Sequence, residues 1–230
     1  MTVPVGEVEA LSRPVTVTGG ANVGFLSTGG NTDVNSLRVD ADVVVRNYRN
    51  RYTGGGVLSR AADGGVETAR NATVSGRYDR FFNPRLYANA TALFTRDNFR
   101  DIDLRSAIGL GLGYQVADNA LLKLSVEGGY GYVDERFDAA PDENYQAFRE
   151  TVTIDVYTLG KRVTFFHRQD GFFGFTGDDN LFVQTRNGVR GGLAGGLVAT
   201  VQFDLDYDRS PAVGREHTDR SVGLTFGYRF

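Results

Sequence analysis

Along the last stretch of the chain every second residue is apolar. Val222, Leu224, Phe226, Tyr228 and Phe230 alternate with Ser221, Gly223, Thr225, Gly227 and Arg229. A period of two is the mark of an extended strand, whose successive side chains leave opposite faces. The pattern returns upstream. Leu197, Ala199, Val201, Phe203, Leu205 and Tyr207 alternate with Thr200, Gln202, Asp204 and Asp206. Leu122, Leu124 and Val126 alternate with Lys123, Ser125 and Glu127, and Ile108, Leu110 and Leu112 with Gly109, Gly111 and Gly113. Leu37, Val39, Ala41 and Val43 alternate with Arg38, Asp40 and Asp42, while Val15, Val17, Ala21, Val23 and Phe25 open the series. Less regular candidates cover 51–62, 67–82, 85–96, 147–158, 161–173 and 180–193. About twelve strands result, with ten to fourteen (roughly) compatible with the pattern, each near the ~9–11 residues of a tilted membrane-crossing strand.

The joins alternate in length. Short ones are expected near Arg49-Asn50, Asn83-Pro84, Ala117 to Asn119, Leu159-Gly160 and Ala194 to Gly196. Longer ones are expected at 28–33, 62–66, 97–102, 134–146, 170–179 and 208–218. Outer-membrane barrels have short periplasmic turns and longer external loops, and an even strand number leaves both termini in the periplasm. Charged residues make up 23% of the chain and mean hydropathy is -0.27. That average does not exclude a barrel in which only alternate residues face lipid. No run approaches the ~20 apolar residues of a membrane helix. The non-apolar strand face carries Arg38, Asp40, Asp42, Arg77, Asp79, Arg105, Lys123, Glu127, Arg186, Arg190, Asp204, Asp206 and Arg229. A soluble barrel would bury its apolar face and turn these outward. The apolar face of twelve strands is too large for that, so the expected fold is an all-β transmembrane up-and-down antiparallel barrel over residues 14–230. The charges then line its lumen, and residues 1–13 form a periplasmic tail or small plug.

A net charge of -3 argues against nucleic-acid partners. The absence of cysteine excludes disulfides and thiolate metal sites. The basic residues are arginine except for Lys123 and Lys161. This suits forked pairing with carboxylates, although a GC-rich genome would produce the same bias. Met1 to Arg13 has no basic region followed by an apolar stretch, so the start is expected to be that of a mature exported chain.

Three segments resemble a known family. Gly24-Phe25-Leu26-Ser27-Thr28-Gly29-Gly30-Asn31-Thr32-Asp33 is similar, with one extra glycine, to the first-hairpin TGNTD signature of an uncharacterised family of salt-induced outer membrane proteins. Arg85-Leu86-Tyr87, Arg96-Asp97, Leu104-Arg105 and Gly111 to Gln115 resemble its central block, and Thr218-Asp219 with the strand to Phe230 resembles its end. The resemblance implies an outer-membrane location and supplies no activity or functional residues. Val222, Leu224, Phe226, Tyr228 and Phe230 also look like the closing signal read by the barrel-assembly machinery.

Candidate chemistry is sparse. His217-Thr218-Asp219 with Asp178-Asp179 would serve a rim hydrolase, against the plainer reading of two polar loops. His167 would need a nearby serine nucleophile, and its own strand has none. Asp204-Leu205-Asp206-Tyr207-Asp208 mimics the start of a calcium loop, but Arg209 and Arg215 occupy the glycine and glutamate positions. These carboxylates are expected instead to pair in the lumen with Arg186, Arg190 or Arg229. Gly109-x-Gly111-x-Gly113 lacks the helix start of a phosphate loop and is read as strand. Asn71 and Asn89 begin sequons that fall within strands. Tyr48, Tyr52, Phe81, Phe82, Tyr87, Phe172, Phe173 and Phe175 are expected to form interfacial girdles. The function read from the sequence is a narrow channel or envelope-structural barrel with lipid and small-solute partners, no catalytic residues, no metal and no cofactor. The alternatives are a barrel that binds a ligand through its loops and a rim hydrolase.

Overall fold

The computed structural model describes residues 15–28, 34–175, 180–212 and 214–230. The alternating stretches become twelve strands: β1 (Thr16–Thr28), β2 (Val34–Arg46), β3 (Asn50–Asp63), β4 (Val66–Phe81), β5 (Leu86–Asp97), β6 (Ile102–Asp118), β7 (Leu122–Phe137), β8 (Glu143–Thr158), β9 (Val163–Gly174), β10 (Leu181–Gly192), β11 (Leu197–Asp208) and β12 (Thr218–Arg229). Each pairs antiparallel with its sequence neighbours. β12 closes the ring on β1 with Gly20 opposite Arg229 and Val23 opposite Phe226. Closure removes both sheet edges, so every strand has a ladder on each side. The tail or plug expected at residues 1–13, the glycine-rich hairpin tip at 29–33 and the Asp178-Asp179 pair lie outside the described residues.

The short turns have a recurring local cause. The Asn47 side-chain oxygen accepts from the amides of Arg49 and Asn50 at 3.0 and 2.8 Å. Asn83 does the same for Arg85 and Leu86, both at 2.8 Å, and Asn119 for Leu121 and Leu122, both at 2.9 Å. An asparagine at this place mimics a backbone turn and fixes where the strand reverses. Two joins depart from the expected length pattern: β5–β6, at 98–101, is no longer than the short β4–β5 join at 82–85, and β3–β4 is shorter still. The β3–β4 connection, expected to be long, is the two-residue turn Gly64-Gly65, with φ of 56° and 79°. Both residues occupy the left-handed region that a tight hairpin demands and that glycine enters without cost.

The two faces separate as the alternation requires. Phe25, Leu110, Leu112, Leu224 and Phe226 are 55–70% exposed on the outside. Asn22, Asp79, Asn89, Arg105, Gln115, Glu127, Arg149 and Thr225 are buried within. The interior also holds a small apolar cluster of Ala107, Val133, Tyr145, Ala147, Phe172 and Phe182. The expected aromatic girdle needs correction here. Tyr48, Tyr52, Phe82, Phe173 and Phe175 are exposed, whereas Phe81, Tyr87 and Phe172 are buried inside the barrel. The reason is the strand period itself: in Phe81-Phe82 and Phe172-Phe173, adjacent rings must leave opposite faces.

Candidate functional site

The lumen is filled unevenly, and its densest part lies on the inner face of β3 to β9. Asp79, fully buried on β4, accepts from Arg51 Nε at 2.6 Å and from Arg77 Nε at 2.7 Å. Arg77 also closes on Glu127 of β7, which accepts from the Tyr87 hydroxyl at 2.8 Å. Arg149 of β8 reaches Glu127 at 3.1 Å, Asn89 at 3.0 Å and Thr151 at 2.7 Å, and Thr151 donates to Asp170 of β9 at 2.7 Å. The result is one network of alternating sign, from β3 to β9. Burying ions this deeply is tolerable only when each has a counter-charge and its hydrogen bonds. Glycines make the room. A Cβ at Gly113 would come within 2.2 Å of the Tyr87 ring, and one at Gly109 within 2.7 Å of Arg149.

A second group spans the lumen towards the end that carries the longer loops. Arg105 of β6 lies 2.6 Å from Glu135 of β7, as an ion contact rather than an aligned hydrogen bond. It also makes a close ion pair with Asp208 of β11. Arg100, between β5 and β6, adds contacts to Asp208 at 3.4 Å, Asp206 at 3.7 Å and Asp219 at 3.0 Å. Since β6 and β11 stand nearly opposite in the ring, these pairs cross the bore.

The wall made by β9 to β12, β1 and β2 is looser. Arg38 pairs with Asp204 at 2.9 Å and Asp40 at 3.6 Å, Asn22 donates to Asp40 at 2.6 Å, and Arg229 grips Asp42 through two 3.0 Å bonds. Arg168 forks onto Asp155 at 2.8 Å. Side chains here keep 13–38% of their surface, against 0–5% for Asp79, Glu127, Arg149, Arg105 and Glu135. Water therefore reaches the ion pairs of this wall, while on the other it is kept from Asp79, Glu127 and Arg149 and reaches Arg51, Arg77 and Asp170, whose side chains keep 18–46% of their surface. At the short-turn end the bore opens into a cavity of about 410 Å³ lined by Arg46, Phe81, Phe82 and Pro84, among others.

Among the described residues, Asp204 does not bond to the arginines expected for it. Arg186 stands opposite Asp204 in register, yet Asp204 bonds to Arg38, and Arg229 is taken by Asp42. Arg190 stacks on Phe166, 5.1 Å from the ring centre, and its Nε has no hydrogen-bond partner among the described residues. Lys123 sits near the short-turn end, 5.9 Å from the Tyr157 ring. Six participants that the sequence reading missed, Arg51, Glu135, Arg149, Asp155, Arg168 and Asp170, follow the same alternation within their strands, so a stricter reading of period two in β3, β7, β8 and β9 would have found them.

The candidates for chemistry separate. His217 Nδ1 is 2.9 Å from the Asp208 backbone oxygen and Asp219 binds Arg100, so neither is assembled with a nucleophile. His167 pairs with Asn187 at 2.7 Å, but β8 to β11 contain no serine. Among the described residues no three His, Cys, Asp or Glu side chains are grouped to hold a metal.

A sequence profile described as "Protein of unknown function, DUF481" matches residues 21–230. No curated protein matches the chain. Among solved structures, the chain is similar to an outer membrane channel from Pseudomonas putida F1, at 14% identity and a TM-score of 0.54, with both chains wholly covered. The NanC porin aligns at 9% identity and a TM-score of 0.52, over 94% of this chain and 98% of the porin. The KdgM porin aligns at 12% and 0.51, over 94% and 99%. At these identities the likeness establishes the barrel fold.

Proposed function

The chain belongs to DUF481, a family of proteins of unknown function; we propose that it is an outer-membrane channel whose conducting space is narrow and pressed against one wall. The observation that carries this reading is the contrast between the buried Glu127–Arg149 pair and the part-exposed ion pairs of Arg38, Asp204, Asp42 and Arg229. The exposed apolar exterior supports a lipid setting, because water would penalise so large an apolar surface. Outer-membrane lipids are then the partners of Leu110, Leu224 and Phe226. Val222, Leu224, Phe226, Tyr228 and Phe230 serve in the same reading as the signal for the barrel-assembly machinery. The resemblance to salt-induced outer membrane proteins supports the location and names no solute. We assign no catalytic role, since His167 and His217 lack a nucleophile.

A barrel of twelve strands lies between small barrels filled by side chains and open porins, so side-chain contents decide what passes. Mixed charge along the hydrated wall suits small polar solutes of either sign, passing without a dedicated binding site. The bridge from Arg100 and Arg105 to Asp208 favours a second reading, a barrel closed at rest. Single-channel recording of the refolded protein separates the two. The channel reading expects a small steady conductance, and Asp208→Asn raises it by loosening the bridge. Folded, inserted protein that passes no current, with or without Asp208→Asn, would leave the envelope-structural role instead.

A further inference from the structure

Among the described residues, the outward face of the barrel has one interruption at mid-strand. Outward positions at mid-strand are otherwise apolar, as at Ala41 and Val43, Ala90 and Ala92, Leu110 and Leu112. Across β8 to β10 the same face carries Glu150, His167, Gln169, Thr185 and Asn187. Their direction follows from register. His167 and Gln169 share the face of Phe165 and Phe173, which are 48% and 39% exposed, while Phe166 and Phe172 between them are buried inside. Asn187 is the register partner of His167, and Thr185 of Gln169. The groups are already tied together. His167 Nδ1 lies 2.7 Å from Asn187 Oδ1, Asn187 donates to Thr185 at 3.4 Å, and Gln169 donates to Glu150 in a close contact. These bonds use one end of His167, Gln169 and Glu150 and both ends of the Asn187 amide. The His167 Nε2, the Gln169 carbonyl and the second Glu150 oxygen have no hydrogen bond among the described residues.

Hydrocarbon offers such groups nothing, so a polar cluster held at mid-depth needs a protein surface over it. We infer that β8 to β10 form the contact face of a homodimer in the membrane. The patch is complementary to itself. A side-chain amide carries donor and acceptor together, so Gln169, whose carbonyl and second N–H are open, pairs with its own copy across a two-fold axis. Barrels inserted in one orientation have only an axis along the membrane normal open to them, and that axis sets residues of equal depth face to face. Phe165, Phe173 and Val189 flank the polar centre with apolar surface of the kind an obligate contact buries. The inference rests on the membrane reading above but not on whether the barrel conducts.

The chain has no cysteine, so one introduced thiol reports one position. Oxidation in phospholipid vesicles should link Gln169→Cys into dimers and leave Ala90→Cys, on β5 outside the patch, unlinked. In the cysteine-free chain, His167→Leu with Gln169→Leu and Asn187→Leu should sediment in detergent as a monomer while keeping its heat-modifiable gel mobility. Gln169→Leu alone, the variant to use if the triple one misfolds, should weaken association about tenfold through the loss of its paired hydrogen bonds. An inserted wild type that stays monomeric and unlinked at Gln169→Cys overturns the inference, as does a leucine variant that still dimerises. Loss of heat-modifiable folding in the wild type would instead strike the membrane reading.

Discussion

At the level of single residues, interior position outweighs charge. Glu127 answers Arg77, Arg149 and the Tyr87 hydroxyl at once, and none of it is exposed. Glu127→Gln strips the counter-charge from Arg149, which is 2% exposed, and from Arg77, which keeps 18% of its surface. Breaking a buried pair in this way costs about 3–5 kcal/mol, and urea unfolding of the detergent-refolded variant should read a loss of that size. Lys123→Gln, at the hydrated short-turn end, should stay within about 0.5 kcal/mol of wild type. Gly113→Val belongs with the costly changes, because the Tyr87 ring already occupies the space of its side chain. Individual partners were the least legible part of the sequence. Alternation places Asp204 on the inner face, yet its bond to Arg38 depends on how far closure staggers β2 against β11. No local pattern encodes that stagger.

At the level of elements, the strands were the most legible part. A period of two over ten or more residues leaves no helical alternative, and asparagine turns mark the reversals. The aromatic doublets were misread because nearness to a strand end was weighed above parity: Phe81 and Phe82 both stand near an end, and only one faces outward. The β3–β4 join was misread because Gly64-Gly65 lies among small residues that extend the apparent loop, although a two-residue turn asks for this dipeptide. The closing strand shows what a readable element implies for assembly. β12 offers an outward row of Val222, Leu224, Phe226 and Tyr228, and the Phe230 backbone exchanges two 3.1 Å bonds with Gly19. Deleting Phe230 removes both bonds at the seam, where the ladder is shortest. The fraction of cellular protein reaching the heat-modifiable folded form should fall severalfold, while Val66→Ala, at the start of β4, should leave it unchanged.

At the level of the whole molecule, the bore is not a round pipe. Tyr87, Arg105 and Arg149, each at most 2% exposed, thicken one side from within, and the hydrated ion pairs occupy what remains. On the channel reading proposed above, the free cross-section is a crescent, long in one direction and thin in the other. Sieving by such a slot depends on a solute's smallest dimension rather than its mass. Thin, linear polyethers should enter and lower the current, and crown-shaped polyethers of equal mass should not. A cell that spaced its permeability this way would sort nutrients by flatness, admitting extended chains that a circular aperture of the same area would have no means of telling from compact ones.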